Sequence, residues 1–422
     1  MRPRGPLLRA DSLWRNRDFT LLWTSQSLSD LGSAVTSLAY PLLILAVTGS
    51  AVAAGAVGTT VRVVQTALRI PAGVLVDRVE RRRLMLACDA IRFAAFVVLG
   101  GAVLLDRATL PLIVVVAVVE GASSAAFQSA EPSAIRNLVP LDQVPVAVAR
   151  NEARNAGVNL AGPPLGGLLF SIGRVVPFAA DAVSYLLSIV GLLAIRRPFQ
   201  ESDRVAPTTS PLRDLTAGLR FLVTDPFLRA TLLIGAWINF AINGMIFGLI
   251  LLLQRNGTPP PLIGLVETAI GIGALVGAIV AGILVRRVRA TRLIHVMCLV
   301  GVPLLLAVLP LASSPAAGVP MAVLMLASPA VNACLFGYLT AITPDRMLGR
   351  VNSALMTVVM SLTALAPLVA GLLVRHVGAT GLVLGFTAAY AIGAVVALTA
   401  KGIRTMRPLS EVTAQAEPAG LG

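Results

Sequence analysis

The chain has 422 residues, of which 56% are hydrophobic and 13% charged, and its formal net charge is +14. Soluble domains are usually about 45–50% apolar and about 25% charged, so this composition excludes a disordered chain and a soluble multidomain enzyme. Each helical membrane crossing needs about 20 apolar residues. The chain is therefore long enough for about a dozen crossings with short loops.

Apolar runs predict an all-α integral membrane protein with twelve transmembrane helices. The runs cover residues 18–47, 52–76, 84–105, 109–131, 145–170, 175–195, 229–253, 262–285, 292–312, 317–342, 351–374 and 378–400. They form two six-helix halves, 18–195 and 229–400, between a cytoplasmic N-terminal segment, 1–17, and a cytoplasmic tail, 401–422. The linker 196–228 is predicted to contain an amphipathic helix, because four leucines recur there at helical spacing: Leu212, Leu215, Leu219 and Leu222.

The basic residues are distributed unevenly between the two sides of the predicted membrane. With the N-terminus in the cytoplasm, 27 of the 34 fall on the inner side and only four in outer loops. Basic residues accumulate on the cytoplasmic side of membrane proteins, so both termini are predicted inside, in a multi-pass protein of the inner (cytoplasmic) membrane. Aromatic residues make up 5% of the chain, and no basic, aromatic-rich soluble segment suggests nucleic acid binding.

The two halves repeat each other. Residues 73–83 and 282–292 are identical at six of eleven positions, and 162–169 resembles 366–373. Each pair lies at corresponding places in the two halves. A parallel repeat of this kind is an architecture of secondary transporters.

Residues 73–83 resemble the cytoplasmic loop motif between spans two and three of the major facilitator superfamily. The matching residues are Gly73, Asp77, Arg78, Arg81 and Arg82, whereas Glu80 replaces the usual glycine. The resemblance implies a twelve-helix transporter in which Asp77 and Arg78 latch the halves together on the cytoplasmic side. With Glu80 at that position, the backbone turn of the loop is expected to differ from the family's.

A second stretch is similar to the core of the motif in span five of the family's antiporters. Gly162, Pro163, Gly166 and Gly167 match, whereas Val158 replaces an earlier glycine. The resemblance implies export rather than sugar import. Physically, Pro163 removes a backbone donor and bends a helix, and the glycines let a neighbouring helix approach closely.

Three more stretches resemble a drug-exporter branch that includes macrolide and siderophore exporters. They are residues 15–19, 89–92 and 344–351. Lysophospholipid flippases also resemble this branch. The resemblance implies a small-molecule substrate and no cofactor. It also implies a monomer in the lipid bilayer that needs no obligate protein partner.

Ionisable side chains inside a bilayer are expensive and therefore mark functional sites. Protons are the expected coupling ion, and a buried carboxyl group can load and release one at physiological pH. Asp30 is the first candidate carrier, because it lies well inside span one on a polar stripe that should face the substrate cavity: Gln26, Asp30, Ser33 and Ser37. The alternative for Asp30 is a hydrogen bond that only fixes helix packing.

Arg62 on span two lies at a depth similar to that of Asp30, so an Asp30–Arg62 pair is predicted, with a static ion pair as the alternative role. In much of the family an arginine occupies span four; here that position is Ala117, and Glu120 follows one turn later. Arg62 is therefore expected to supply the missing positive charge. Glu120 is the second candidate proton carrier and a further cavity residue.

The remaining polar residues of the spans receive separate interpretations. Asp89 and Arg92, three residues apart, are predicted to form a structural ion pair. Asp181 and Glu267 are placed near outer ends, where water reaches them. Asn239 and Asn243 are expected to line the cavity from the second half. The cysteines, Cys88, Cys298 and Cys334, lie far apart in apolar runs and indicate packed thiols rather than a metal site.

These patterns bear on four possible functions. A proton-coupled exporter of an amphiphilic or drug-like compound accounts for most of the patterns; a lysophospholipid flippase or a nutrient symporter uses the same fold. An integral membrane enzyme is disfavoured, because no metalloprotease, nucleophile-elbow or nucleotide-binding motif is present. A non-transporting receptor is disfavoured by the intramembrane carboxylates.

Overall fold

The computed structural model describes residues 13–200 and 211–406. Most of the predicted N-terminal segment, part of the linker and most of the tail lie outside the described residues. The helices before the linker are α1 (Arg17–Thr48), α2 (Ala51–Arg78), α3 (Arg81–Leu104), α4 (Leu110–Leu138), α5 (Val144–Ile172) and α6 (Val176–Ala194). They match the first six predicted spans and extend several of them at the ends.

The linker contains α7 (Pro211–Thr224). It is followed by α8 (Pro226–Arg255), α9 (Pro260–Arg287), α10 (Ala290–Leu306), α11 (Gly318–Ile342), α12 (Asp345–Ala364), α13 (Ala366–His376), α14 (Gly378–Thr399) and the single turn α15 (Lys401–Arg404). Helices α12 and α13 form one candidate crossing, interrupted at Leu365. Counted in this way over the described residues, six long helices precede α7 and six follow it, in agreement with the predicted all-α, twelve-helix membrane fold.

Ten of these crossings are long and apolar enough, by length and composition, to span a bilayer within the described part of the chain. The other two are α5 and the shorter α10. Helix α5 differs because Arg150, Glu152 and Arg154 lie in its first half. The predicted fifth span, 145–170, contains Arg150 and Arg154, and the structure places both inside a 29-residue helix.

Two compact units make up the chain. The first contains residues 1–43 and 60–206, and the second contains residues 44–59 and 207–422. The last turn of α1 and the first third of α2 therefore belong to the second unit. There Gly55 and Gly371 let this segment and α13 approach closely, since a Cβ on either glycine would meet the other segment's backbone.

The repeat is visible in the helix boundaries. Helix α2 ends at Arg78 and α3 begins at Arg81; α9 ends at Arg287 and α10 begins at Ala290, which are the equivalent positions in the second half. Glu80 has φ −69° and ψ 117°, and its counterpart Arg289 has φ −58° and ψ 135°. Neither needs the left-handed conformation that favours glycine. This extended backbone explains why glutamate is tolerated at a position where the family has glycine.

The linker helix α7 packs on α12 in the second unit. The Nε atom of Arg350 lies 2.8 Å from Oδ1 of Asp214, and a Cβ on Gly218 would collide with the backbone of Arg350. Leu222 is fully buried, whereas Leu219 is 37% exposed. The linker therefore contains a helix at the predicted place, packed on α12 at Gly218, although Leu219 of the predicted leucine stripe is exposed.

Small residues bring α1 and α5 together in the first unit. A Cβ on Gly162 would collide with Ala34, and one on Gly166 would lie 2.6 Å from the carbonyl oxygen of Val35. These contacts confirm the predicted close approach at two glycines of the span-five motif. Helix α5 runs unbroken through Pro163 and Pro164.

This packing gives a prediction about stability. Gly166→Ala should lower the free energy of unfolding by about 1–3 kcal/mol, because the added methyl group overpacks a contact with a backbone oxygen that cannot yield easily. Gly157→Ala on the same helix is the matched control, since no described atom lies within 4 Å of its added Cβ. It should be neutral or stabilising by up to about 1 kcal/mol. Equal thermal unfolding of both variants in detergent would contradict the packing argument.

Candidate functional site

Three charged side chains from three helices meet in the first unit. The Nη2 atom of Arg154 on α5 lies 3.1 Å from Oδ2 of Asp30 on α1 and 2.7 Å from Oε1 of Glu131 on α4. The exposed fraction of the side chain is 4% for Arg154, 13% for Glu131 and 37% for Asp30. We call these three residues the ion cluster. With every group ionised, two carboxylates face one guanidinium, so the cluster carries one excess negative charge.

The cluster follows from the packing of α1 on α5. Ala34 lies one turn beyond Asp30, and its partner Gly162 lies about two turns beyond Arg154. From the Asp30–Arg154 contact to the Ala34–Gly162 contact, the residue numbers increase on both helices, so the two helices run parallel. Asp30 and Arg154 therefore lie at the same level. The structure gives Asp30 Arg154 as its ion-pair partner, where the sequence analysis predicted Arg62; Arg62 is exposed on α2.

A second ion pair lies deeper in the same unit. The Nη2 atom of Arg92 lies 2.8 Å from Oδ1 of Asp89, and Ser188 on α6 donates a hydrogen bond of 2.5 Å to the other carboxylate oxygen. Gln26 on α1 donates to Ser188 at 3.0 Å. The predicted Asp89–Arg92 pair is therefore confirmed, and it ties α3 to α6 and α1.

Tyr185 on α6 connects this pair to two more carboxyl groups. Its hydroxyl oxygen lies 3.2 Å from Oε2 of Glu120, 3.4 Å from Oδ2 of Asp181 and 3.0 Å from Oγ of Ser33. Its ring lies under the guanidinium of Arg92, with 4.7 Å between the guanidinium carbon and the ring centroid. Such a cation–π contact stabilises a buried arginine.

The hydrogen count of this group has a chemical consequence. A tyrosine hydroxyl carries one hydrogen and can accept two hydrogen bonds. It can therefore donate to only one of Glu120 and Asp181. All three contacts become hydrogen bonds when Ser33 donates to the hydroxyl and one carboxyl group carries its own proton. The arrangement is thus suited to holding one proton between Glu120 and Asp181.

Asp181 differs from its sequence-based interpretation. The sequence predicts that Asp181 lies near an outer end where water reaches it. In the structure it is fully buried, with 0% exposure. Thr36 on α1 donates to it at 2.8 Å. A Cβ on Gly32 would collide with the carboxylate, so the glycine allows α1 to cover it. Burial here depends on helix packing and not on position along the span.

The polar candidates of the second unit lie on α8 and α9. Asn239 and Asn243 on α8 are partly buried, and their amides donate to the backbone of their own helix at 2.8 and 2.9 Å. Glu267 lies eight residues into α9 and is partly buried. The structure therefore gathers the carboxyl groups of the first unit into a network, whereas the amides of Asn239 and Asn243 bond to their own helix.

The loop motif at residues 73–83 is held by backbone acceptors. Arg82 donates to the carbonyl oxygens of Leu192 and Leu193 at the end of α6, at 3.0 and 2.7 Å. Arg81 donates to those of Ser133 and Phe199, at 3.3 and 3.2 Å. Cations near a helix C-terminus satisfy its last carbonyls. Arg82 therefore binds the end of α6, and Arg81 joins α4 to the segment after α6, while Asp77 and Arg78 are exposed.

The segment at residues 15–19 joins helix ends in a similar way. Asn16 donates to the carbonyl oxygen of Leu138 at 2.7 Å and accepts from the backbone N–H of Phe19 at 3.2 Å. Asp18 accepts from the backbone of Arg196 at 3.3 Å. The segment that carries part of the resemblance to exporters thus anchors α1 to the ends of α4 and α6.

A bundle of long apolar helices with buried, paired carboxylates belongs to the class of integral membrane transporters. The family model of the Major Facilitator Superfamily matches residues 22–366. The chain belongs to this family. The sequence-based assignment is therefore confirmed.

Two curated relatives are exporters. The chain is 26% identical over 276 residues to Macrolide efflux protein A of Streptococcus pyogenes, covering 64% of this chain and 67% of the relative. It is 27% identical over 374 residues to Enterobactin exporter EntS of Citrobacter koseri, covering 82% of each. The predicted resemblance to an exporter branch of the family is confirmed by these relatives.

Solved structures show the same fold. A bacterial homologue of the human lysosomal transporter Spinster, inward-facing and unoccupied, has a TM-score of 0.71 at 17% identity and covers 98% of this chain and 100% of its own. A bacterial homologue of the iron transporter ferroportin, inward-facing, has a TM-score of 0.72 at 16% identity, with 92% and 99% covered. Similarity at this level of identity concerns the fold alone.

Proposed function

We propose that this protein is a proton-coupled antiporter that exports a small amphiphilic, drug-like or natural-product compound by alternating access. The observation that carries the proposal is that two relatives named as exporters match this chain over 67% and 82% of their own length. The halves 18–195 and 229–400 are the moving parts, joined by 196–228. Both termini lie in the cytoplasm, as the arginine distribution favours; a cytoplasm-only reporter fused after residue 410 tests this orientation.

Proton coupling is supported by the carboxyl groups of the first unit. Asp30 is 37% exposed and contacts a buried guanidinium, so it is accessible to solvent or substrate while it remains electrostatically controlled. We assign Asp30 as the proton carrier, with Glu120 as the runner-up beside Tyr185. Ser33, Arg62, Asn239 and Asn243 complete the proposed substrate cavity. Gln26, also predicted to line it, is 1% exposed and donates to Ser188, so it packs α1 on α6 instead.

The test is an export assay in a host that lacks its own efflux pumps. With a macrolide and a panel of amphiphilic dyes as probes, expression should lower accumulation several-fold, and a protonophore should remove the effect. Accumulation that rises on expression would contradict export. Transfer of a fluorescent lysophospholipid, without any effect on the panel, would move the assignment to a flippase.

The loop motif is proposed to act on switching between states rather than on substrate binding. Asp77→Ala should therefore lower the export rate of a transported dye while leaving its binding affinity unchanged. The matched control is Asp142→Ala, the same change at an exposed carboxylate outside the motif. Normal turnover by well-expressed Asp77→Ala would remove the mechanical role of this loop.

A further inference from the structure

The ion cluster contains one carboxylate more than its arginine needs. Arg154 is almost completely buried, and both Asp30 and Glu131 contact the same nitrogen, Nη2. Removing the sole partner of a buried charge is strongly destabilising. A buried arginine with one carboxylate partner would therefore hold that carboxylate ionised. With a second carboxylate on the same guanidinium, one of the two can become neutral while the arginine keeps an ionised partner.

The two carboxylates differ in burial and distance. Glu131 is the shorter contact, at 2.7 Å, and the more buried, at 13% exposure; Asp30 is farther, at 3.1 Å, and more exposed. Among the described residues, Nε and Nη1 of Arg154 are buried and have no hydrogen-bond partner. Arg154 thus has spare donors, and it stays paired with Glu131 whenever Asp30 becomes neutral.

We propose that Glu131 is a permanent counter-ion for Arg154, which leaves Asp30 able to take up and release a proton without leaving a buried charge unpaired. Glu131 is a positioning residue in this proposal, because it acts on Asp30 through Arg154 and through its own charge. The inference rests on the proposed role of Asp30 as proton carrier. It adds to that role a second carboxylate, Glu131, on α4.

The electrostatic surroundings of Asp30 determine the direction of the effect. Arg154 on α5 favours its ionised form and Glu131 on α4 opposes it; from α3, Arg92 and Asp89 act with opposite signs on Asp30 and are paired with each other. Removing the charge of Glu131 leaves the attraction of Arg154 for Asp30 unopposed within the ion cluster. More acid is then needed to protonate Asp30.

The test needs no substrate. The infrared C=O stretch of protonated Asp30, identified by its loss in Asp30→Asn, is followed against pH in the purified full chain in lipid nanodiscs. In Glu131→Gln the midpoint of this band should move to lower pH by about one unit or more, as for a carboxyl group beside a guanidinium. Arg154→Gln should move it to higher pH, and Glu131→Asp should restore the wild-type midpoint.

Matched controls separate this role from a structural one. Glu152→Gln makes the same change at an exposed position of α5 and should leave the midpoint unchanged. A general loss of packing would move Glu131→Gln and Arg154→Gln in the same direction, which would overturn the inference, as would an unchanged midpoint in Glu131→Gln. If wild type shows no Asp30-dependent band at any pH, the role of Asp30 as carrier fails, and this inference with it.

Discussion

Arg92→Gln should lower the free energy of unfolding by about 3–5 kcal/mol, because it leaves the carboxylate of Asp89 buried without a cationic partner. Asp89 is completely buried, and the Arg92 side chain is 6% exposed. The substitution also removes the guanidinium from above the rings of Tyr185 and Phe127, which lie 4.7 and 4.9 Å from it. Denaturant or thermal unfolding of the purified protein in one detergent measures the effect.

The chain offers a control of the same geometry. Arg83 and Glu80 form an ion pair with the same spacing of three residues at 2.9 Å, but their side chains are 87% and 37% exposed. Arg83→Gln should change stability by less than about 1 kcal/mol. The double variant Asp89→Asn/Arg92→Gln should be more stable than Arg92→Gln alone, since it no longer buries an unpaired charge. Equal effects at Arg83 and Arg92 would contradict the argument from burial.

Much of the fold could be predicted from the sequence because each helix crossing is determined by local composition. A bilayer requires long apolar runs, and each run can be recognised without knowledge of its neighbours. The loop motif and its repeat also depend on nearby residues only, so the boundaries at Arg78 and Arg81 have counterparts at Arg287 and Ala290. The Asp89–Arg92 pair was predictable for the same reason, because three residues separate its members on one helix.

The ion cluster could not be predicted in this way. Its contacts join three helices, since Asp30 lies on α1, Glu131 on α4 and Arg154 on α5. Glu131 is the last residue of the predicted fourth span and Arg154 lies inside the predicted fifth span, and these two charges were the available signal. The predicted Asp30–Arg62 pair depends on depth alone, and depth does not determine which helix faces which.

Tyr185 was missed for a different reason. One tyrosine in an apolar helix is usually a packing residue, and its hydroxyl gains importance only from Glu120, Asp181 and Ser33, which come from other positions and helices. Asp181 was misplaced because the sequence shows distance along a helix but not which helix covers it. Polar networks of this kind become visible only after the packing is known.

Asp30→Asn should abolish uphill, proton-driven export while permitting downhill exchange of substrate. The amide keeps the shape of the side chain but cannot bind and release a proton. Export is therefore no longer coupled to proton movement, while the substrate pathway stays open. The structure adds a reason to expect a folded variant: Arg154 retains Glu131 at 2.7 Å as its partner, so no buried charge is left alone. Asp30→Glu keeps an ionisable group and should retain part of the activity.

The measurement compares two assays on one preparation of inside-out vesicles. Accumulation of a transported dye against its gradient requires coupling, whereas exchange of labelled for unlabelled dye requires only the pathway. Asp142→Asn, the same change at an exposed site, should behave as wild type in both. If Asp30→Asn accumulates dye as wild type does and Glu120→Gln does not, the carrier is Glu120, with the Tyr185 hydroxyl 3.2 Å away as its partner. If both variants accumulate dye normally, neither carboxyl group carries the coupled proton, and the antiport mechanism proposed for this chain fails.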